Sequence, residues 1–267
     1  CLMRSKLFYF IFSYMIFINT SYSESYSVLF DAPKGPGPYP AIIISHGSGG
    51  LTNVVYDWAD YFTRELGYVT ISINHHTPRG WPEGRTPPVR QGTNWRYDDL
   101  VSVLKKFKSN EKIDPKRIAL AGWSAGAAMT MWGLEKGEDI GQASGLQHPF
   151  KAGILFYPYM FACNAFDFDK ITFPIIHVHG SEDDTYRYCW KDQIKNMKSQ
   201  KYELISKVYE GAVHLFDSSY ARNTCRSITA TAGGPYPDYE LCYKYDEKAH
   251  NQSKADIKAF LAKHLNN

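Results

Sequence analysis

Short, unbroken apolar runs alternate with amphipathic stretches along most of this chain. Residues 41–45 read AIIIS, a run too short for a buried helix and rich in β-branched side chains, which predicts a strand covered on both faces. The same reading places further strands at 25–30, 68–74, 117–121, 152–157, 174–179 and 204–209. Helical patterns fall at 54–66, 95–108, 125–132, 191–199 and 253–265. Strands that alternate with helices predict an α/β fold, a mainly parallel sheet with helices on both faces. Residues 75–93, HHTPRGWPEGRTPPVRQGT, are dense in Pro, Gly and Arg and read as loop. Residues 221–248 are polar, carry two cysteines and read as a surface excursion before the last helix. No repeat or low-complexity tract interrupts the pattern, so 24–267 is expected to be one domain.

The first residues follow another rule. Met3-Arg4-Ser5-Lys6 is basic, Leu7 to Ile18 is apolar, and Asn19 to Ser23 is small and polar. That order is expected of a secretory signal peptide spanning residues 1–23, cleaved after Ser23. The apolar run is short for a membrane span, and an uncleaved anchor is the alternative. The reading implies an exported protein, periplasmic or extracellular, with no stable span once the signal is removed. The formal charge of +3 includes Arg4 and Lys6, so the remainder is nearly neutral. Its basic residues are not clustered, which argues against a nucleic-acid partner.

Four cysteines follow the signal: Cys163, Cys189, Cys225 and Cys242. An even count in an exported chain predicts disulfides, with three pairings open. Cys163–Cys189 is favoured because both fall in loops at one end of the sheet. Cys225–Cys242 would then staple the late excursion.

The candidate chemistry centres on residues 117–132, RIALAGWSAGAAMTMW, a strand that turns into a helix through Gly122-Trp123-Ser124-Ala125-Gly126. G-x-S-x-G between strand and helix is the pattern that exposes a serine at the apex of a sharp turn. A serine hydroxyl needs a base to take its proton and a carboxylate to orient that base, here in the chain order Ser, acid, His. The acids crowd the loop after a strand in PIIHVHGSEDD; Asp183 is the first choice, then Asp184 and Glu182. His214, in VYEGAVHLFD, follows the last strand and is the candidate base, whereas His250 and His264 read as solvent-facing. Oxyanion donors are expected from the backbone N–H of Ala125 and of Ser48 in His46-Gly47-Ser48-Gly49-Gly50, with Gly49 as the alternative.

These segments, HGSGG, HHTPRGW, GWSAG, HGSEDD and YEGAVHLFD, resemble the dienelactone hydrolase family of the α/β-hydrolase fold, from about Pro40 to Asp217. The resemblance implies a small α/β-hydrolase with little or no cap, cleaving carboxylic esters or lactones with Ser124, Asp183 and His214. The enzyme that names the family has a cysteine nucleophile where Ser124 stands here, which points toward a general esterase. Substrates would be small-molecule or polymeric esters, and no metal or organic cofactor is required. A peptidase or acyltransferase using the same three residues is the alternative, followed by a non-catalytic binding protein on a hydrolase scaffold.

Other residues have two readings. His177 and His179 share one strand face, and His75 and His76 end another strand; packed, hydrogen-bonded histidines are expected rather than a metal site. Arg79 either grips a substrate carboxylate or pins its loop to an acid such as Asp98. Trp123 either packs under the turn or touches substrate, and Trp81 and Tyr159 are candidates for lining an acyl pocket.

Overall fold

The computed structural model describes residues 26–81, 94–159, 163, 166–198, 201–229 and 237–266. The segment read as a signal peptide, residues 1–23, and most of the Pro/Gly/Arg-rich loop lie outside them.

Seven strands form one sheet: β1 (Ser27–Asp31), β2 (Tyr39–Ser45), β3 (Val69–Asn74), β4 (Ile113–Trp123), β5 (Ala152–Phe156), β6 (Ile175–Gly180) and β7 (Leu204–Tyr209). Their spatial order is β1-β3-β2-β4-β5-β6-β7. Only β1 runs antiparallel, against β3 at the sheet edge; the other neighbours are parallel. The helices are α1 (Asn53–Asp60), α2 (Asn94–Phe107), α3 (Ala125–Glu135), α4 (Gly137–Ser144), α5 (Lys191–Lys198) and α6 (Glu247–Leu265).

Alternation along the strands divides the core into two layers. Ile43, Leu120, Leu155 and Ile175 face one side, where α2 supplies Leu100, Val103 and Leu104, and α3 supplies Ala127, Met131 and Leu134. Ile42, Ile44, Ala121, Ile154 and Val178 face the other, under Val54, Val55 and Trp58 of α1 and Ile257, Phe260 and Leu261 of α6. Each fully buried Val, Leu, Ile, Phe or Met side chain among them contributes roughly 1.5–3 kcal/mol. A mostly parallel sheet with helices on both faces, its nucleophile-type turn leaving a central strand, is the α/β-hydrolase fold.

The structure departs from the sequence reading in several places: β4 starts at Ile113 rather than 117, and α4 forms where no element was expected. The excursion at 221–248 contains an antiparallel hairpin, β8 (Thr224–Ile228) and β9 (Tyr239–Tyr243). Its apolar signal is confined to β9, where Tyr239 and Leu241 alternate into the core while β8 stays largely exposed. The last helix begins at Glu247 rather than 253, because the Asp246 carboxylate accepts from the Ala249 N–H at 2.9 Å and caps a polar first turn. That early start buries His250 against Trp58, with ring centroids 5.7 Å apart, and His264 packs on Phe260 at 4.7 Å. Neither is therefore the solvent-facing side chain expected.

Both favoured cysteine pairs are bonded, Cys163 to Cys189 and Cys225 to Cys242. Among the described residues, no helix is long and apolar enough to cross a membrane.

Candidate active site

Ser124 is the only residue between the end of β4 and the start of α3, and it turns the chain with φ 51° and ψ −112°. A non-glycine residue there costs about 1–3 kcal/mol and persists only where its surroundings hold it. The Ser124 N–H donates to the Phe156 carbonyl at 2.9 Å, and the Ser124 carbonyl accepts from Ala127, Ala128 and Tyr159 at 3.0, 3.2 and 3.2 Å. A Cβ at Gly122 would strike the Gly126 carbonyl, and one at Gly126 would strike the carbonyl of Ser45. Both glycines are thus dictated by how closely α3 starts above β2 and β4.

The loop after β2 lies against this turn. A Cβ on Gly47 would sit 3.3 Å from the Trp123 carbonyl and 3.7 Å from the Ser124 Cβ. Gly50 N–H closes the loop onto the Gly47 carbonyl at 3.3 Å, with Ser48 and Gly49 inside the turn. Ala125 is the first residue of α3, so its N–H has no acceptor within the helix.

The acid and the histidine meet from separate strands. Asp183 follows β6 and His214 follows β7; His214 Nδ1 lies 2.7 Å from Asp183 Oδ2, and both side chains are buried. Asp183 Oδ1 accepts from the Thr185 N–H at 2.9 Å and the Thr185 hydroxyl at 2.7 Å. Burial alone would raise the Asp183 pKa; the neighbouring His214 and His179 imidazoles overcome it and hold the carboxyl well below its ordinary range. Glu182, by contrast, is exposed, and Asp184 accepts from the Glu240 N–H at 3.0 Å and so ties down the hairpin. The His214 ring packs at 4.5 Å from Tyr157 and 5.9 Å from Tyr243.

Two buried polar clusters support these parts. Asp217, three residues beyond His214, accepts from Trp58 Nε1 and Trp123 Nε1 at 2.9 Å each and from the Tyr157 hydroxyl at 2.7 Å. Its donors are all neutral, so burial dominates and raises its pKa. Beneath the loop after β2, Arg96 Nη1 donates to the His46 carbonyl at 2.9 Å and Ser45 Oγ at 3.1 Å. Burial lowers the Arg96 pKa to about 9, which still leaves it cationic at neutral pH. His46 Nε2 accepts from the His75 N–H at 3.1 Å, and His75 Nδ1 contacts Asp99 Oδ2 at 2.7 Å.

The remaining candidates separate. Arg79 gives its fork to Asp99, with contacts of 2.7 and 2.8 Å, rather than to the expected Asp98; Asp98 faces solvent on α2 and Asp99 faces inward. Trp123 is buried under the turn, its indole N–H on Asp217, and so does not face a cleft. Trp81 is partly exposed and meets Trp95 at 5.3 Å, and Tyr159 is half-buried directly beyond the Ser124 carbonyl. Sequence reasoning did not single out Arg96, Asp99, Thr185, Asp217 or Tyr243. Asp217 had a signal, since it is an acid three residues from the candidate base; Arg96 and Asp99 share an α2 face by their spacing of three.

The dienelactone hydrolase family model matches residues 27–265. The chain belongs to the dienelactone hydrolase family. An uncharacterised 31.7 kDa Escherichia coli protein is 36% identical over 110 residues, which is 39% of this chain and 35% of that protein. The matched segment thus spans about a third of that relative's length. A dienelactone hydrolase-like promiscuous phosphotriesterase from metagenomic libraries superposes with a TM-score of 0.56 at 16% identity, covering 86% of this chain and 88% of that one. Esterase 2 of Thermogutta terrifontis, in a structure phosphorylated by paraoxon, gives 0.61 at 16% identity, with 89% and 88% covered. These structural likenesses concern the fold.

Proposed function

We propose that this protein is an exported serine hydrolase that cleaves carboxylic esters or lactones through an acyl-enzyme. The observation that carries the reading is the 2.7 Å contact between Asp183 Oδ2 and His214 Nδ1, on the sheet whose strained turn presents Ser124. A buried, ionised carboxylate accepting from Nδ1 leaves Nε2 of that imidazole free to act as a base. In the proposed cycle Ser124 Oγ attacks the ester carbonyl and its proton passes to His214 Nε2. The N–H groups of Ala125 and Ser48 receive the developing oxyanion, each contributing about 3–4 kcal/mol if it behaves like other such donors. His214 then protonates the leaving alcohol, and water, deprotonated by the same nitrogen, releases the acid.

Membership in a family named for a hydrolase supports the reaction class, and two disulfides support export. The paraoxon-phosphorylated relative suggests the test, because phosphorus reagents trap an activated nucleophile. A fluorophosphonate probe should label the intact protein at Ser124, and Ser124→Ala should abolish both labelling and hydrolysis of short p-nitrophenyl esters. A folded, disulfide-bonded protein that neither labels nor hydrolyses any ester in a graded chain-length series would falsify the reading. Mass spectrometry of the secreted protein tests export, with an N-terminus at Glu24 expected.

A further inference from the structure

The candidate acid is attached to more than the candidate base. His177 and His179 occupy one face of β6, and behind Asp183 they form a continuous buried line. Ser206 Oγ lies 3.5 Å from His177 Nδ1; His177 Nε2 lies 3.0 Å from His179 Nδ1; His179 Nε2 lies 2.8 Å from Thr185 Oγ1; and Thr185 Oγ1 lies 2.7 Å from Asp183 Oδ1. His179 Nε2 also approaches Asp183 Oδ2 at 3.4 Å. Both imidazoles are fully buried, and burial lowers both pKa values, so each ring is neutral near pH 7.

One end of this line fixes the rest. An ionised carboxylate only accepts, so the Thr185 hydroxyl must donate to Asp183. Its single proton is then used, and Thr185 Oγ1 must accept from His179 Nε2–H. A neutral ring protonated at Nε2 has a bare Nδ1, which accepts from His177 Nε2–H. By the same rule His177 Nδ1 is bare and faces the Ser206 hydroxyl. Four groups therefore point their protons one way, toward the carboxylate that holds His214.

We infer that His179 is a positioning residue for the ester-cleaving reaction, the last ring of a one-directional hydrogen-bond chain from Ser206 that donates into Asp183 and thereby sets how strongly Asp183 attracts the His214 proton. The inference rests on the proposed function only for its kinetic readout. Donors into Asp183 spread its negative charge. Removing them leaves the full charge for His214, which favours the imidazolium and raises the pH at which the base becomes available. The titratable groups facing His214 are Asp183, His179, Tyr157 from the end of β5 and Tyr243 from β9; those facing His179 are His177, Asp183, His214 and Tyr186. Burial raises the pKa of Tyr157 and Tyr243, so both phenols stay neutral at and below neutral pH.

The test has two arms. In the wild-type protein, imidazole 15N NMR at pH 7 should show His177 and His179 as neutral Nε2–H tautomers, whether or not the protein is an esterase. A doubly protonated ring or an Nδ1–H tautomer at either position overturns the inference. In kinetics, Thr185→Val, which removes the hydroxyl that donates to Asp183, should move the acidic limb of kcat/KM upward by about one pH unit, the size of one lost bond to a charged group, and His179→Phe should move it the same way by a smaller amount. His179→Gln, which keeps an N–H toward Thr185, should recover most of that shift. Thr185→Val serves if His179→Phe does not fold. A lowered rate with an unmoved limb would show a packing role only and overturn the inference. Wild-type protein without Ser124-dependent hydrolysis would instead overturn the proposed function and leave the tautomers as a separate result.

Discussion

His214 and Tyr243 are joined by a parallel β-bridge, and their rings meet edge to face at 5.9 Å. The candidate base is therefore held from its own loop and also from β9, whose partner strand is bonded to it through Cys225–Cys242. The excursion that reads as a surface segment in the sequence supports the candidate base.

Cutting that staple should be felt at His214. The double change Cys225→Ser with Cys242→Ser should lower kcat by about ten- to a hundredfold, the scale on which misplaced geometry costs rate. Hydrogen exchange should speed up in 224–228 and 239–243 while the seven-stranded sheet stays protected. An unchanged kcat in a hairpin that has demonstrably opened would count against the support role.

Arg96 holds the loop after β2 through Nη1, which donates to the His46 carbonyl and Ser45 Oγ. Its second nitrogen, Nη2, lies 3.3 Å from His76 Nε2, a reach that a single lysine ammonium cannot copy. Arg96→Lys should lower kcat by about ten- to a hundredfold with little change in KM, because the loop's amides are the proposed oxyanion donors and that charge is greatest in the transition state. Steady-state kinetics with one p-nitrophenyl ester separates the two constants.

Asp217 should be tolerant of one substitution and intolerant of another. In Asp217→Asn the amide oxygen can accept from both indoles while its NH2 donates to the Tyr157 oxygen, so folding should survive. Asp217→Ala strands three buried donors and should cost about 3 kcal/mol or more. The pH dependence follows from the raised pKa of Asp217. A raised carboxyl stabilises the fold fully below its unfolded pKa, and that contribution is lost as pH rises through the folded value. Wild type should therefore lose stability relative to Asp217→Asn on raising the pH from the ordinary carboxyl value of 3.8 through the folded one, as urea denaturation across that range would reveal. The depressed Asp183 works in the opposite sense, but it is common to both proteins and cancels.

Ser124 is held at positive φ, which glycine adopts without the steric cost. Ser124→Gly should be inactive yet more stable than Ser124→Ala, by about 1 kcal/mol. Differential scanning calorimetry of the two variants gives the answer directly.

The sequence made the sheet legible because strands buried on both faces leave unbroken apolar runs, as at Ile42-Ile43-Ile44. It also placed Asp183 and His214 in the loops after consecutive strands, where parallel neighbours bring loop ends together. What it hid shares one physical cause. Arg96, Asp99 and Asp217 are buried polar residues whose partners come from distant elements, and no local period marks them. His250 was misjudged because a polar first turn can still pack inward once Asp246 caps it. The hairpin was missed because only one of its strands has a buried face.

Two of the chain's six tryptophans, Trp58 and Trp123, donate to the same carboxylate oxygen of Asp217. That carboxylate lies three residues beyond His214, one indole comes from α1, and the other directly precedes Ser124. A shift of the His214 loop cannot occur without changing the electrostatic field at both indoles. Intrinsic emission from this pair is thus a built-in optical gauge of the region, readable by stopped flow without attaching any label.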